Sequence, residues 1–257
     1  MWRRVFEPLA WSSLWVALAA GALSAAATRA MGVALPHPLD ALALVVAGTF
    51  VVYNVDRLRD VPRDRATSPR RTAFVERHAR VLRGATAAAG VLAVGLALRV
   101  GPAAPLVLAP VAALGFGHRR VKHLAFAKSS YITLAWVCVV VLFPAVAGTG
   151  ARDVAFTALV IGAAAQSNAI ASNVRDLEGA VARIGSGPAL RLARVVAALG
   201  VGLALLAPDP VRPLVCIPAA TGLALVRFDA EEGYGLVVVD GALLAGALAA
   251  LAIYAAR

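Results

Sequence analysis

The sequence predicts an all-helical polytopic membrane protein, with about nine transmembrane helices in a single domain around one central cavity. Two observations predict this class. Of the 257 residues, 61% are hydrophobic and only 15% are charged, whereas about a quarter of the residues of a soluble domain are charged. Apolar runs also recur along the whole chain, and the mean hydropathy is +0.80. We therefore treat residues 1–257 as one transmembrane domain.

Each predicted span is an apolar run that ends at charged or turn-forming residues. The fourth and eighth runs contain Pro110 and Pro218, and an interfacial helix over 72–83 leads into the third. The basic start and apolar first run also resemble a signal peptide, but the run is long for one. The predicted spans are 9–27, 38–54, 81–98, 105–116, 131–146, 154–173, 190–206, 211–226 and 236–255.

Arginine and lysine predict the orientation. With a cytoplasmic amino terminus, all but five of the 25 basic residues lie in cytoplasmic segments, as the positive-inside rule requires. We expect an integral protein of a bacterial or archaeal cell membrane, surrounded by lipids. Most arginines are explained by this orientation alone. The five on the outer side are Arg29, Arg99, Arg152, Arg212 and Arg257.

Composition also excludes some functions. Cys138 and Cys216 lie inside apolar runs without a CxxC motif, so neither a disulfide nor a thiolate metal site is predicted. The net charge is +11, but the sequence has no soluble basic domain that would present it to nucleic acid. We therefore expect no nucleic-acid partner. The oligomeric state is left open.

The first candidate site follows the second predicted span. Asp56, Asp60 and Asp64 recur at intervals of four among arginines, and residues four apart lie above one another on a helix. Stacked carboxylates repel unless a cation neutralises them, and Mg²⁺ prefers oxygen ligands and shares them with phosphates. Pro62 interrupts the stripe, so Asp64 need not continue it. The alternative is a charged segment that only solvates a helix end.

A second polar stripe ends the sixth predicted span. Asn168, Ser172 and Asp176 are again four apart, after Gln166. The second and sixth helices have the same direction, so both stripes emerge on the cytoplasmic side and can meet over a shared cavity. Polar side chains inside a span usually face a pathway or a bundle interior. Hydrogen bonds between helices are the other explanation for Gln166 and Asn168.

These motifs resemble those of the UbiA-type superfamily of intramembrane prenyltransferases, which has nine helices and two aspartate-rich motifs. The family's first motif, NDxxDxxxD, aligns with VYNVDRLRD at 52–60, followed by Ser-Pro-Arg-Arg at 68–71. Asp56 and Asp60 match, and Tyr53 stands at the first aspartate. The second motif aligns with RDLEGAVARIGSGPALRL at 175–192. Asp176 matches, and Ala180 stands at the closing aspartate.

The resemblance implies a Mg²⁺-dependent reaction in which a prenyl diphosphate ionises and alkylates a small lipophilic, electron-rich acceptor such as an aromatic ring. It implies Asp60 and Asp176 as the catalytic residues. The implied metal ligands are Asp56, Asp60, Asp64 and Asp176. The implied diphosphate-binding residues are Arg70, Arg71, Arg119, Arg120, Lys122 and Lys128, and those near the acceptor or supporting the ligands are Tyr53, Asn54, Asn168, Ser172, Asn173 and Glu178.

Two other functions stay open. A non-catalytic relative that binds polyprenyl phosphate or anionic lipid would keep the basic residues and tolerate Tyr53 and Ala180. A small transporter would need charged or discontinuous helices at the bilayer midplane. Asp240 is the one carboxylate predicted well inside a span, and we interpret it first as a buried contact between helices. The acceptor and the prenyl chain length are not predicted.

Overall fold

A computed structural model describes residues 2–117, 127–148, 151–177 and 181–257. Within these residues, six helices are long and apolar enough to cross a membrane, and three shorter apolar helices stand at the first, fourth and eighth predicted spans. The prediction of an all-helical polytopic membrane protein is confirmed.

The helices follow the predicted order, with some changes at their ends. Two π-helical turns, Cys138–Leu142 and Tyr234–Val239, are continuous with the helices that follow them. The α-helices are α1 Trp2–Trp11, α2 Leu14–Ala30, α3 Pro38–Thr67, α4 Pro69–Arg77, α5 Ala79–Val100, α6 Ala103–Gly117, α7 Ala127–Val137, α8 Phe143–Ala147, α9 Val154–Asp176, α10 Val181–Ile184, α11 Ser186–Leu206, α12 Cys216–Val226 and α13 Asp240–Ala255.

The predicted first span is in fact two helices, α1 and α2. The helical path is interrupted between them at Ser13, which has a left-handed backbone with φ of 64°. Side chains of α3 satisfy the carbonyl groups at this break. The Asn54 amide nitrogen donates to Ser12 O at 3.0 Å, and the Arg57 guanidinium donates to Ala10 O at 2.6 Å. The break therefore depends on contacts from a later helix, which a local apolar pattern does not contain.

Helix α3 extends further than the predicted 38–54. It runs for 30 residues from Pro38 to Thr67, with Pro62 inside it. Pro62 was expected to free Asp64 from the helical stripe, but Asp64 lies on the same helix as Asp56 and Asp60. Pro69 then starts α4, which replaces the amino-terminal part of the predicted interfacial helix at 72–83.

Small residues allow close packing of the helices in the core. Helix α2 packs between α3 and α13, and α9 packs against α11. Ala20, Ala27, Ala164 and Ala247 are almost fully buried in the main core cluster. The two long helices that carry the polar stripes, α3 and α9, are thereby held in one bundle.

Among the glycines in the part of the chain that the structure describes, Gly246 of α13 would bring a Cβ atom closest to the backbone of another helix. A Cβ atom there would lie 2.6 Å from both the Cys216 carbonyl oxygen and the Ile217 Cα atom. Because these are backbone atoms, we expect Gly246→Ala to lower the free energy of unfolding by about 1–3 kcal/mol, in spite of alanine's better helix propensity. Thermal unfolding in detergent measures this change.

Gly95 is the matched control, because a Cβ there would meet no atom within 4 Å. Gly95→Ala should leave stability unchanged or raise it by up to about 1 kcal/mol. Equal unfolding midpoints for the two variants would show that α12 and α13 do not approach as closely as described.

Candidate functional site

An apolar cavity of about 500 Å³ lies between α2, α3, α5, α6 and the α7 span. Its polar lining is confined to a few side chains, among them Thr49, Tyr53, Asp56 and Tyr131. Among the described residues that line the cavity, Asp56 is the one carboxylate. The apolar lining includes Leu44, Val45, Gly48, Val52, Gly90, Ala93, Ala97, Pro105, Leu108, Ala112, Trp136 and Val139.

The aspartate stripe of α3 leads from this cavity toward the end of the helix. Asp56 lines the cavity, Asp60 is 6% exposed, and Asp64 forms an ion pair with Arg71 at 2.6 Å. Steps of four residues advance about 6 Å along a helix. The carboxylates of the stripe therefore follow one another along α3, starting at the cavity.

Arg71 connects this stripe to the second motif. Its guanidinium interacts electrostatically with Asp64 and with Asp176. Burial raises the pKa of Asp64, and the charges of Asp60 and Asp176 raise it further, while Arg71 lowers it. Asp64 of the first motif and Asp176 of the second therefore lie close enough for their charges to interact.

Asp176 is the last residue of α9, which ends because Leu177 adopts a left-handed backbone with φ of 51°. Arg175 donates to both oxygens of Asp176, at 2.7 and 2.9 Å. Lys128, itself buried, also acts electrostatically on Asp176. The second carboxylate is thus surrounded by cations.

The other polar residues of the second stripe hold helices together. The Asn173 amide nitrogen donates to Ser129 Oγ at 2.7 Å. That of Asn168 donates to Val239 O at 3.1 Å and to Asp240 Oδ1 at 3.0 Å. Asp240 is therefore a contact between α9 and α13, as we interpreted it from the sequence. Ser172 is half-buried.

Tyr53 and Asn54 have different surroundings although they are neighbours in α3. Tyr53 lines the cavity, and its hydroxyl accepts a hydrogen bond from Trp136 Nε1 at 3.0 Å. Asn54 is fully buried and faces the break after α1. Tyr53 is consequently placed to contact a ligand in the cavity, and Asn54 supports the backbone.

The side chain of Arg70 does not contact Asp64, which pairs with the neighbouring Arg71. It donates to both oxygens of Glu7 in α1, at 2.9 and 2.8 Å, and its guanidinium lies 5.6 Å from the Trp11 ring centroid. Arg70 is thus paired with Glu7, whereas Arg71 is paired with an aspartate of the α3 stripe, Asp64. Diphosphate binding by Arg70 stays a prediction. The predicted residues Arg119, Arg120, Lys122 and Glu178, together with Ala180, lie outside the residues that the structure describes.

Sequence reasoning missed two residues at this end of the bundle. Arg57 donates a hydrogen bond to a backbone carbonyl at the end of α1, and Glu232 accepts hydrogen bonds from the backbone at the start of α4. Because Arg57 lies next to Asp56 in the sequence, its place near the site could have been predicted. Its hydrogen bond to the α1 backbone could not. For Glu232 the sequence carried no signal, since its contacts lie about 160 residues away.

The carboxylate oxygens at this site are of the type that binds Mg²⁺. Carboxylate oxygens are the ligands that Mg²⁺ prefers, and it usually takes one or two of them together with water and phosphate oxygens. Asp56 and Asp60 supply such oxygens beside the cavity. Within the described residues no group of three or more acidic, histidine or cysteine side chains is gathered tightly enough to hold a metal by itself. Water and phosphate oxygens would complete the coordination of Mg²⁺ at such a site.

The fold and this site together define an integral membrane protein whose apolar cavity ends at carboxylates and arginines. The fold of this chain is similar to that of two solved UbiA homologs. A UbiA homolog from Archaeoglobus fulgidus bound to GPP and Mg²⁺ superposes with a TM-score of 0.64 and 16% identity, over 97% of this chain and 99% of that chain. The structure of a UbiA homolog from Archaeoglobus fulgidus bound to DMAPP and Mg²⁺ gives a TM-score of 0.62 and 16% identity, over 98% and 99%.

No protein-family model matches the sequence, and no curated protein matches it significantly. At 16% identity the two solved structures show the fold alone. The resemblance seen in the sequence is thereby confirmed at the level of the fold.

Proposed function

We propose that this protein transfers a prenyl group from a prenyl diphosphate to a lipophilic, electron-rich acceptor inside the membrane, and that the reaction depends on Mg²⁺. One observation carries the proposal. The apolar cavity ends at Asp56, in line with Asp60 and Asp64, and Arg71 connects this stripe electrostatically to Asp176. The UbiA homologs with the same fold were solved with GPP or DMAPP and Mg²⁺.

The polar end would bind the diphosphate group. Mg²⁺ bound there would neutralise the departing diphosphate and so assist its loss. Asp56 and Asp60 would hold one metal ion, with Asp64 beside them, and Asp176 would contribute a ligand to a second. Arg71 and Lys128 supply positive charge for the phosphate oxygens, and an arginine fork matches phosphate geometry well.

The apolar part of the cavity would hold the isoprenoid tail. Its lining excludes water from the allylic carbon, which protects a cationic intermediate from hydrolysis. Tyr53 and Trp136 place aromatic rings at this wall, and aromatic faces attract cations. An electron-rich acceptor would have to approach the same carbon.

Direct measurement of the reaction tests this proposal. Membranes containing the protein would be incubated with radiolabelled prenyl diphosphates of several lengths and an extract of candidate acceptors. We expect labelled lipophilic product with Mg²⁺ present and none after EDTA treatment. Mg²⁺-dependent binding without any product across the acceptors would remove the transfer step from the proposal.

The depth of the cavity gives a further prediction about the tail. Ala97 lines the cavity two turns of α5 beyond Gly90, away from the end of α3 that carries the aspartates. A large ring at this position should exclude the distal part of a ten-carbon tail. We expect Ala97→Trp to lower GPP affinity by about tenfold or more, and to leave the five-carbon DMAPP bound normally.

Leu98→Trp is the matched control, because Leu98 is 75% exposed and does not line the cavity. Isothermal titration in detergent measures both ligands. Equal losses for GPP and DMAPP in Ala97→Trp, or a similar loss in Leu98→Trp, would contradict this placement of the tail.

One feature favours a second candidate function, the Mg²⁺-independent binding of a polyprenyl phosphate without transfer. Arg175 occupies both oxygens of Asp176, so this carboxylate is already neutralised. In that case the basic groups alone would hold the phosphate. Full binding of GPP in EDTA, and unchanged binding by Asp60→Ala and Asp176→Ala variants, would favour this function over prenyl transfer.

A further inference from the structure

Glu232 lies on the segment between α12 and the π-helical turn Tyr234–Val239, and it is 8% exposed. Its two carboxylate oxygens accept hydrogen bonds from backbone amides of α4. The Arg71 N–H donates to Oε1 at 2.7 Å, and the Arg70 N–H donates to Oε2 at 3.2 Å. Both oxygens of this buried carboxylate thus accept hydrogen bonds from the first turn of a nine-residue helix.

The residue that precedes α4 does not cap the helix with its own side chain. The first N–H groups of a helix have no partner within it, and the preceding Ser68 makes no capping hydrogen bond with its side chain. A carboxylate at a helix amino terminus is also favoured by the helix dipole. Glu232 therefore caps α4 from a distant part of the chain.

The capped residue is the one that connects the two aspartate motifs. With its amide held by Glu232, Arg71 extends its guanidinium to Asp64 at 2.6 Å and acts electrostatically on Asp176. Glu232 also interacts electrostatically with Arg175, which binds Asp176. The start of α4 is thereby held at a defined position relative to both carboxylates.

We propose that Glu232 is a positioning residue for the diphosphate site, which it controls by capping α4 and so directing Arg71 toward the phosphate oxygens. This inference rests on the proposed function, since it presumes that Arg71 meets a diphosphate. Glu232 itself binds backbone amides and need not touch the ligand. A carboxylate in the segment between α12 and α13 thus sets the affinity of a site built mainly on α3 and α9.

Glu231 provides a matched control. It is the neighbouring acid, but its carboxylate lies 3.4 Å from the exposed Arg70 side chain. Glu231→Gln therefore makes the same change in charge one residue away without removing the cap. Glu232→Gln retains one oxygen that can accept from an amide, and Glu232→Ala retains none.

Hydrogen–deuterium exchange of the ligand-free protein tests the cap itself. In Glu232→Ala, the amides in the Pro69–Arg77 peptide should exchange about tenfold faster, because hydrogen bonds to a charged acceptor are lost. Glu232→Gln should fall between this variant and the wild type, and Glu231→Gln should match the wild type. Unchanged exchange in Glu232→Ala would show that the carboxylate does not cap α4.

Ligand titration tests the positioning role. Glu232→Ala should lower Mg²⁺-dependent GPP affinity by about fivefold or more, while the affinity for geraniol, which has the same tail without a charge, should not change. Glu232→Gln should restore part of the GPP affinity. A merely structural role would lower the affinity for both ligands, or for neither.

A double-mutant cycle with Arg71→Ala completes the test. If Glu232 acts through Arg71, the two losses of GPP affinity should be strongly non-additive. Additive losses, or full GPP affinity in a variant whose α4 amides exchange rapidly, would overturn the positioning role and leave the proposed function intact. Failure of the wild-type protein to bind GPP would overturn both, although exchange would still decide whether the cap exists.

Discussion

Replacing Asp60 with asparagine is expected to lower Mg²⁺-dependent GPP affinity, and any rate of prenyl transfer, by about a hundredfold or more. Loss of a residue that only supports a metal ligand already costs about 10–100-fold, and Asp60 is proposed as a ligand itself. The substitution preserves size and one oxygen but removes the charge that Mg²⁺ requires. Titration of GPP at a series of Mg²⁺ concentrations, followed by single-turnover assays, measures the effect.

Asp40→Asn is the control on the same helix. Asp40 lies in the first turn of α3 and pairs with Arg99 at 3.1 Å. Twenty residues separate it from Asp60 in that helix, a rise of about 30 Å. We expect Asp40→Asn to bind GPP like the wild type. Equal affinities of the Asp60 and Asp40 variants for GPP would contradict a metal site at the end of the α3 stripe.

Replacing Arg71 with alanine is expected to weaken GPP binding by about 10–100-fold, since a hydrogen bond to a charged group contributes about 1.5–3 kcal/mol. The loss should appear mainly in KM or Kd for GPP and much less for geraniol. Arg71→Lys should recover only part of it, because an ammonium group lacks the planar fork of the guanidinium. Equilibrium binding with each ligand measures the difference.

Arg65→Ala is the corresponding control. Arg65 also belongs to the charged end of α3, but its side chain is 68% exposed and pairs with Glu76. Exposed pairs of this kind contribute little to stability, so the variant should bind GPP normally. A loss in Arg65→Ala as large as that in Arg71→Ala would indicate a general effect of positive charge in place of a specific contact.

Much of the candidate site could be predicted because it consists of short-range patterns. Asp56 and Asp60 lie four residues apart on a helix that the preceding apolar run already required, and Asp176 ends a second helix of the same direction. Helical spacing and membrane crossing are both local properties. Because α3 and α9 were predicted to cross the membrane in the same direction, their polar ends were expected on the same side. The electrostatic interactions of Asp64 with Asp60 and Asp176 are consistent with this expectation.

The difference between Arg70 and Arg71 could not be predicted in this way. Both were expected to bind diphosphate, and as neighbours they have the same sequence environment. In the structure, Arg70 turns to Glu7 of α1, and Arg71 turns to Asp64. Successive residues on a helix point about 100° apart, so the identity of each partner depends on which other helices stand on the two sides.

By itself, the sequence determined that this chain is a membrane-spanning helical bundle with acidic motifs at the ends of two helices. Burial of apolar runs in lipid and the period of the α-helix suffice for that. Only the tertiary structure decided where the first apolar run breaks, that α3 continues past Pro62, and that Glu232 caps α4. The break and the cap depend on hydrogen bonds to backbone groups far away in sequence, and such groups acquire partners only when the helices have packed.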